Sequence, residues 1–286
     1  MKIIQVEQGS SEWLSWRKSV ITATDCPAIL GSSPWSTAYK VWQRKLDLIP
    51  EQKSNEAMER GKRLEPEARA QFVQRFGVEM ESMVVESTEF DFLGASLDGM
   101  SHLANSILEI KCGGEKLHAM AKKGEIPPYY MDQMQHQLLV TRASKCFYYS
   151  FDGVDGICIE VLPDPEFEAK FLAKAREFWK CVAFNEAPAL QDSDYKDMSH
   201  DMPWINIAND YKKVSWQIKE LEARKEEYRR LLLNLSGDQS CMGEGVRVMK
   251  TTVRGRVAYD EIPEIKALDL DKYRKGSTVT WKILVA

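Results

Sequence analysis

Three residues near the middle of the chain, Asp98, Glu109 and Lys111, have the types and spacing to do chemistry. They lie in Gly94-Ala95-Ser96-Leu97-Asp98-Gly99-Met100 and Ile107-Leu108-Glu109-Ile110-Lys111-Cys112. In a strand, residues i and i+2 share a face, so Glu109 and Lys111 emerge side by side while Leu108 and Ile110 face the other layer. If 99–103 pairs with 107–112 as an antiparallel hairpin turning near Leu103-Ala104-Asn105, Asp98 comes close to Glu109. Buried carboxylates are costly unless a cation sits between them. Two carboxylate oxygens, a backbone carbonyl and waters suit Mg²⁺. Such an ion polarises a phosphoryl oxygen and acidifies a bound water, which a neighbouring lysine positions or deprotonates. This is the D-x(n)-E-x-K arrangement of many metal-dependent nucleases.

The bare pattern is not specific. Asp194/Lys196, Asp210/Lys212, Glu168/Lys170 and Glu264/Lys266 repeat it in a chain that is 29% charged, and each reads as a solvated ion pair. The apolar strand around Glu109 and the upstream Asp-Gly set this instance apart. On local physics alone, a nuclease site and a salt-bridged pair both remain open.

The elements that must position these residues follow from periodicity and caps. Ser10-Ser11 opens a helix carrying Trp13, Trp16 and Arg17; Thr24-Asp25 caps a short helix stopped by Gly31; a third runs from Thr37 to about Leu48. Glu56–Phe76 is helix-rich and ends at Gly77, with a kink or fresh start expected at Pro66. Short β-prone stretches follow at 78–86, 89–96, 99–103, 107–112, 145–151 and 156–162. Helical stretches at 115–123 and 129–142 interrupt them, and a helix with Phe167, Phe171 and Phe178 on one face closes at about 184. Helices flanking a central mixed sheet make an α/β (α+β) domain over residues 1–185.

Residues 186–204 read as a linker and 205–286 as a C-terminal extension. Ile207, Tyr211, Val214, Ile218, Leu221, Tyr228, Leu232 and Leu235 form a heptad seam broken by Lys225, so a long helix spans 206–236. The seam has three readings: folding back on the 165–184 helix, pairing between subunits, or docking a partner. Val246–Val253, Arg256–Tyr259 and Thr278–Val285 suggest a small β-containing module over 241–286. It carries nine Lys/Arg against six Asp/Glu, so it reads as basic.

The 286 residues carry 39 Lys+Arg against 43 Asp+Glu, a formal charge of −4 that neither requires nor excludes a nucleic-acid partner. No apolar run approaches the ~18–20 residues of a membrane span. The N-terminal residues turn polar too soon for a signal peptide, and the expectation is a cytoplasmic protein. Six scattered cysteines without a C-x-x-C pair argue against a disulfide framework, a zinc ribbon or an iron–sulfur site. The four histidines lack zinc spacing and read as surface or supporting residues.

Over roughly residues 6–185 the chain resembles the phage-lambda-type exonuclease family, also called YqaJ-like viral recombinases. Ordered blocks carry the resemblance: Val6-Glu7-Gln8-Gly9 with Trp13, Arg17 and Val20-Ile21-Thr22-Ala23-Thr24; Arg60-Gly61-Lys62 with Glu65; Ser96-Leu97-Asp98-Gly99; Leu108-Glu109-Ile110-Lys111-Cys112; and Tyr130-Met131-Asp132-Gln133-Met134-Gln135 running to Val140-Thr141-Arg142. The resemblance implies a restriction-endonuclease-like core and a homotrimeric ring around DNA. It further implies metal-dependent 5′→3′ digestion of linear duplex DNA from a 5′-phosphorylated end, leaving 3′ tails for phage-type recombination in a bacterial host. By the same resemblance Asp98, Glu109 and the Ile110 backbone carbonyl hold Mg²⁺ or Mn²⁺, and Glu65 serves a second metal or its waters. Lys111 activates the water, supported by Gln133. Arg17, Thr24, Trp13 and Ser96 surround the 5′-phosphate, and Met58 takes the place of an apolar wedge between terminal base pairs.

Two departures are mild: Leu97 stands where the family has proline, and Thr24 where it has serine. The extension beyond about residue 190 has no counterpart in short members. A single-strand annealing protein is a conceivable partner for it. A related endonuclease of the same fold, or an inactive DNA-end-binding protein, is the competing reading.

Overall fold

The computed structural model describes residues 1–50 and 55–266, with 268, 270–273, 275, 278 and 283 beyond them. The chain divides into two units, Met1–Tyr195 and Lys196–Ala286.

The first unit is built on a six-stranded sheet in simple sequential order: β1 (Lys2–Ile4), β2 (Met80–Glu86), β3 (Gly94–Ser101), β4 (Ser106–Lys111), β5 (Lys145–Phe151) and β6 (Gly156–Val161). All neighbours are antiparallel except β4 and β5, which run parallel. That one parallel pair requires a crossover. Helices α5 (Glu115–Lys122) and α6 (Pro128–Thr141) supply it.

Between β1 and β2 lie α1 (Ser11–Lys18), α2 (Cys26–Leu30), α3 (Ala38–Lys45) and α4 (Glu56–Phe76); α7 (Pro165–Ala183) follows β6. Ser10, Thr37, Asn55 and Asp164 cap α1, α3, α4 and α7, each accepting a hydrogen bond from a first-turn amide, whereas the Asp25 side chain expected to cap α2 turns to Thr22 and Lys45 instead. Gly31 and Gly77 end α2 and α4 in the left-handed conformation.

Alternation along the strands divides the core between two faces. Val85, Leu97, Ile107 and Tyr148 pack with Ile29, Trp42, Met134, Leu138 and Phe171 of α2, α3, α6 and α7. Leu108, Ile110, Tyr149 and Phe151 pack instead with Ala68 and Phe72 of α4. Glu109 and Lys111 therefore share the α6 side with Ile107. Gly94 is required sterically, since a Cβ there would lie 2.6 Å from the ring of Trp16.

Several expectations shift. Helix α4 passes through Pro66 as one 21-residue helix instead of restarting there. The stretches 89–96 and 99–103 are not two strands: residues 87–93 form a turn closed by Ser87 and Leu93, and a single strand covers Gly94–Ser101. Strand β1, too short to show a period, was not evident from the sequence. His118 and His136 are buried, His136 completely.

The second unit contains α8 (Met202–Ser236), capped by Asp201 and ended by left-handed Gly237, and a hairpin of β7 (Cys241–Gly243) and β8 (Val246–Val248). No residue of α8 is buried. The expected strand at Val246–Val253 stops at Val248, and Arg256–Tyr259 forms none. Thr278–Val285 lies, apart from 278 and 283, outside the described residues. Among the described residues no helix is long and apolar enough to cross a membrane.

Candidate active site

The β3–β4 hairpin pairs Gly99 with Leu108 and Met100 with Ile107. This register carries Asp98 across from Glu109, on the same face. A close approach makes it possible: a Cβ at Gly99 would sit 2.8 Å from Cβ of Met80 and 3.1 Å from that of Leu108. Asp98 Oδ2 accepts the Ile110 amide at 2.7 Å, tying the carboxylate to the neighbouring strand.

Glu109 is 2% exposed, yet both its oxygens are occupied. Oε1 accepts from Lys111 Nζ and from Gln133 Nε2 (2.6 Å). Oε2 accepts from Gln137 Nε2 (2.5 Å), whose amide also reaches the Ser96 carbonyl at 3.4 Å. Gln133 and Gln137 are one turn apart on α6, so a single helix face grips both oxygens. Lys111 Nζ also lies 4.7 Å from the centroid of the Tyr130 ring. Sequence reasoning found Gln133 and missed Gln137. The available signal was a second glutamine at i+4 on a helix whose residues from Gln133 to Thr141 are all buried.

Helix α4 enters from the ends of β4 and β5. Arg60 donates to the carbonyls of Gly113 (3.0 Å) and Asp152 (2.7 Å), pinning the helix there. Glu65 lies one turn further on, half-buried, and accepts from Arg69 at 2.5 Å.

These charges feel one another. Burial, with the Glu109 and Glu65 charges added, pushes the Asp98 carboxyl well above the carboxylate range against the pull of Lys111 and the Ile110 amide. Burial also raises Glu65, opposed by Arg69 and reinforced by Glu109. For Lys111, burial alone would weaken the ammonium; Glu109 and Asp98 outweigh it and hold the proton more tightly than usual. Fully ionised, the three carboxylates would outnumber the two cations in a poorly solvated place, and the raised Asp98 and Glu65 express that excess.

That donor set suits a hard divalent cation. Asp98, Glu109 and a β4 carbonyl offer oxygen ligands, and the buried Gln137 Oε1 and Tyr148 Oη lack a hydrogen-bond partner in the protein. Both atoms are suited to a metal-bound water. No three His, Cys, Asp or Glu side chains among the described residues converge into a ready-made cage. Magnesium commonly takes only one or two carboxylates and keeps its waters.

A second cluster adjoins the first. Trp13 Nε1 donates to Ser96 Oγ at 2.8 Å, and the Arg17 guanidinium lies over the Trp13 ring, 4.7 Å from its centroid. Arg17 Nη2 donates to Thr24 Oγ1 at 3.2 Å. All four predicted residues, Trp13, Arg17, Thr24 and Ser96, are therefore brought together. Beneath them, buried Asp25 accepts from Lys45 Nζ (2.6 Å) and from the backbone and hydroxyl of Thr22. Burial would raise the Asp25 carboxyl, but Lys45 and Arg17 drive it far below its ordinary value. Lys45 also donates to the Arg17 and Val20 carbonyls, fixing the end of α1. A small pocket at this place is lined by Arg17, Lys18, Arg44, Lys45, Asp25 and Val41. Met58 is 42% exposed in the first turn of α4.

Residues 12–144 match the model of the YqaJ-like viral recombinase domain. The uncharacterised protein YqaJ of Bacillus subtilis is 29% identical over 194 residues, which cover 65% of this chain and 61% of the length of that relative. The alkaline exonuclease LHK-Exo of Laribacter hongkongensis has a similar fold, with a TM-score of 0.54 and 23% identity over 62% of this chain and 94% of that one. Its complex with dAMP gives the same TM-score at 24% identity. The resemblance read from the sequence thus holds: residues 12–144 are similar to YqaJ-like viral recombinase domains, on the fold of an alkaline exonuclease.

Proposed function

We propose that this chain is a metal-dependent deoxyribonuclease that digests linear duplex DNA 5′→3′ from a 5′-phosphorylated end. The family match and the exonuclease fold support a nuclease. The observation that carries the finer reading is the spacing on β3. Ser96, which holds Trp13 and through it Arg17, and Asp98 lie two residues apart along β3, with Asp98 turned to the Glu109 face by a bulge. Two strand residues span about 7 Å. An anion held by Arg17 and a phosphodiester beside Asp98 are then separated on the scale of a single nucleotide, as stepwise removal from an end requires.

In this reading Asp98, Glu109 and the Ile110 carbonyl hold Mg²⁺ (or Mn²⁺), with Glu65 serving a second ion or its waters. The metal supplies Lewis acidity toward the phosphoryl oxygen and a more acidic water. Lys111 positions the attacking water and neutralises charge that builds on the phosphate. Gln133 and Gln137 keep the Glu109 carboxylate in one orientation, as partners behind metal ligands do. Arg17 takes the terminal phosphate in a bidentate grip, stiffened by its stacking on Trp13. Thr24 adds a hydroxyl, and Met58 wedges the terminal pair. The same reading includes a trimeric ring around the duplex and delivery of the 3′ tail to an annealing protein.

The test is incubation with linear and covalently closed circular duplex DNA, with and without Mg²⁺. Metal-dependent loss of linear DNA alone, faster from 5′-phosphate than from 5′-hydroxyl ends, is expected. Cutting of circles would replace this reading with an endonuclease. Binding of ends without hydrolysis would replace it with a structural recombination protein.

A further inference from the structure

Helix α8 presents a continuous seam of ten positions: Trp204, Ile207, Tyr211, Val214, Ile218, Leu221, Lys225, Tyr228, Leu232 and Leu235. The nine apolar members are between 39% and 84% exposed. At about 52 Å the helix is far longer than the hairpin that follows it. A helix of this kind derives most of its stability from covering its apolar stripe. Most of the apolar residues fall in two columns, the shape of a coiled-coil seam, with Leu231 at its flank and Trp216 and Leu233 outside it.

We infer that α8 pairs with α8 of a second copy of this chain in an antiparallel, two-helix arrangement. The orientation follows from charge. Assigning Trp204 to position a places Lys225 at a, Arg224 at g and Arg229 at e. A parallel, in-register pair would bring Lys225 against its own counterpart in the core and Arg224 against the partner's Arg229 on both flanks. Those six like charges would gather within one heptad.

The antiparallel pair removes every one of these contacts. Because the seam begins at an a position and ends at a d position, all ten layers are filled: Trp204 meets the partner's Leu235, Ile207 its Leu232, Tyr211 its Tyr228, Val214 its Lys225, and Ile218 its Leu221. Lys225 then packs its stem on Val214 and carries its ammonium out to solvent at the edge of the seam. The flanking pairs become Gln217 with the partner's Arg224, and Ser215 with the partner's Glu222, with no like charges opposed. A single lysine at a is a known device for setting register and strand number, and the e and g charges set orientation.

The experiment uses the full chain in a Cys241→Ser background, since Cys241 is exposed. Light scattering at tens of micromolar is expected to show that Leu221→Glu, a change at an exposed position, halves the particle mass. The halving is expected both for a first unit that is monomeric (dimer to monomer) and for trimeric rings that pair two by two (hexamer to trimer). Under mild oxidation, a mixture of Ser215→Cys and Glu222→Cys chains is expected to form an interchain disulfide, and neither chain alone is expected to. A mass indifferent to Leu221→Glu overturns the pairing. A mixture that fails to cross-link, or either single-cysteine chain cross-linking as well as the mixture, overturns the antiparallel orientation.

Discussion

Gln137 offers a sharp test of how the candidate site is built. Replacing it by Met keeps an unbranched chain of similar length and removes only the amide. Among the described residues, Gln137 Nε2 makes the one hydrogen bond to Glu109 Oε2. Glu109 is 2% exposed, so water cannot take over. A hydrogen bond to a buried charge contributes about 2 kcal/mol, and Gln137→Met is expected to lower unfolding stability by that amount in metal-free buffer. Gln133→Met is the control: it removes a donor from Oε1, which Lys111 still serves, so its cost is smaller. Loss of a partner behind a ligand typically weakens metal binding about 10-fold or more. Saturating Mg²⁺ should then stabilise Gln137→Met about 1.4 kcal/mol less than the parent chain. Urea unfolding with and without Mg²⁺ measures both quantities. Equal costs for the two glutamines, or an unchanged metal increment, would refute the division of labour between the two oxygens.

Four other expectations concern particular groups. Lys111→Met should lower hydrolysis about 10²–10⁴-fold in a gel-based digestion assay while leaving end binding intact; near-normal rates would remove Lys111 from the chemistry. Arg17→Ala should erase about 10–100-fold of preference for 5′-phosphorylated over 5′-hydroxyl ends, whereas equal losses on both would deny it the phosphate. Lys45→Met leaves the Asp25 charge buried without its ion-pair partner and should cost about 3–5 kcal/mol in chemical unfolding at neutral pH; a loss below 1 kcal/mol would contradict that role. His136 Nε2 donates to the Gly94 carbonyl, 2.9 Å away, and burial lowers its pKa from 6.5 to about 4. The unfolded chain therefore binds the extra proton first, and stability should fall as pH drops from about 6.5 toward 4, by about 2 kcal/mol between pH 7 and 5. His136→Phe should flatten that part of the stability–pH curve, and an unchanged slope would assign it to another group.

The fold was legible where local chemistry dominates. Ser10, Thr37 and Gly77 mark helix ends through side-chain or left-handed caps, and the alternation Leu108, Glu109, Ile110, Lys111 identifies both faces of β4. The hairpin reading of Asp98 against Glu109 rested on this alternation plus a turn of plausible length, and the register agrees with it. What escaped depends on distant partners. Lys45 and Asp25 are 20 residues apart and meet only because α1, α2 and α3 converge. Pro66 carries no signal that α4 continues, since what decides is the packing of Ala68 and Phe72 under the sheet. His136 looked like a surface or supporting residue because a lone polar residue reveals its burial only through the helix it sits on. Of the C-terminal module, the hairpin residues are short and exposed, so β-propensity alone overstated their extent.

The two clusters are better understood as one electrostatic device than as separate sites. The Asp98–Glu109 end has surplus negative charge that Lys111 and Arg69 do not fully offset, so it favours a divalent ion over another side chain. The Arg17 end has the opposite sign. Asp25, buried beneath it, hydrogen-bonds Lys45 and attracts the guanidinium only at a distance, while the guanidinium's direct contacts are a neutral hydroxyl and an aromatic face. Neither of those partners competes with an incoming anion as a carboxylate would. The mechanical connection is β3: Ser96 anchors the Trp13 indole, and Asp98 is fastened to the Ile110 amide. Asp98 sits at a bulge where the β2–β3 ladder shifts register, and its bond to the Ile110 amide fastens it to β4. The distance between the cation that would recognise an end and the carboxylate that would hold a metal is thereby fixed by the fold, not by any flexible loop.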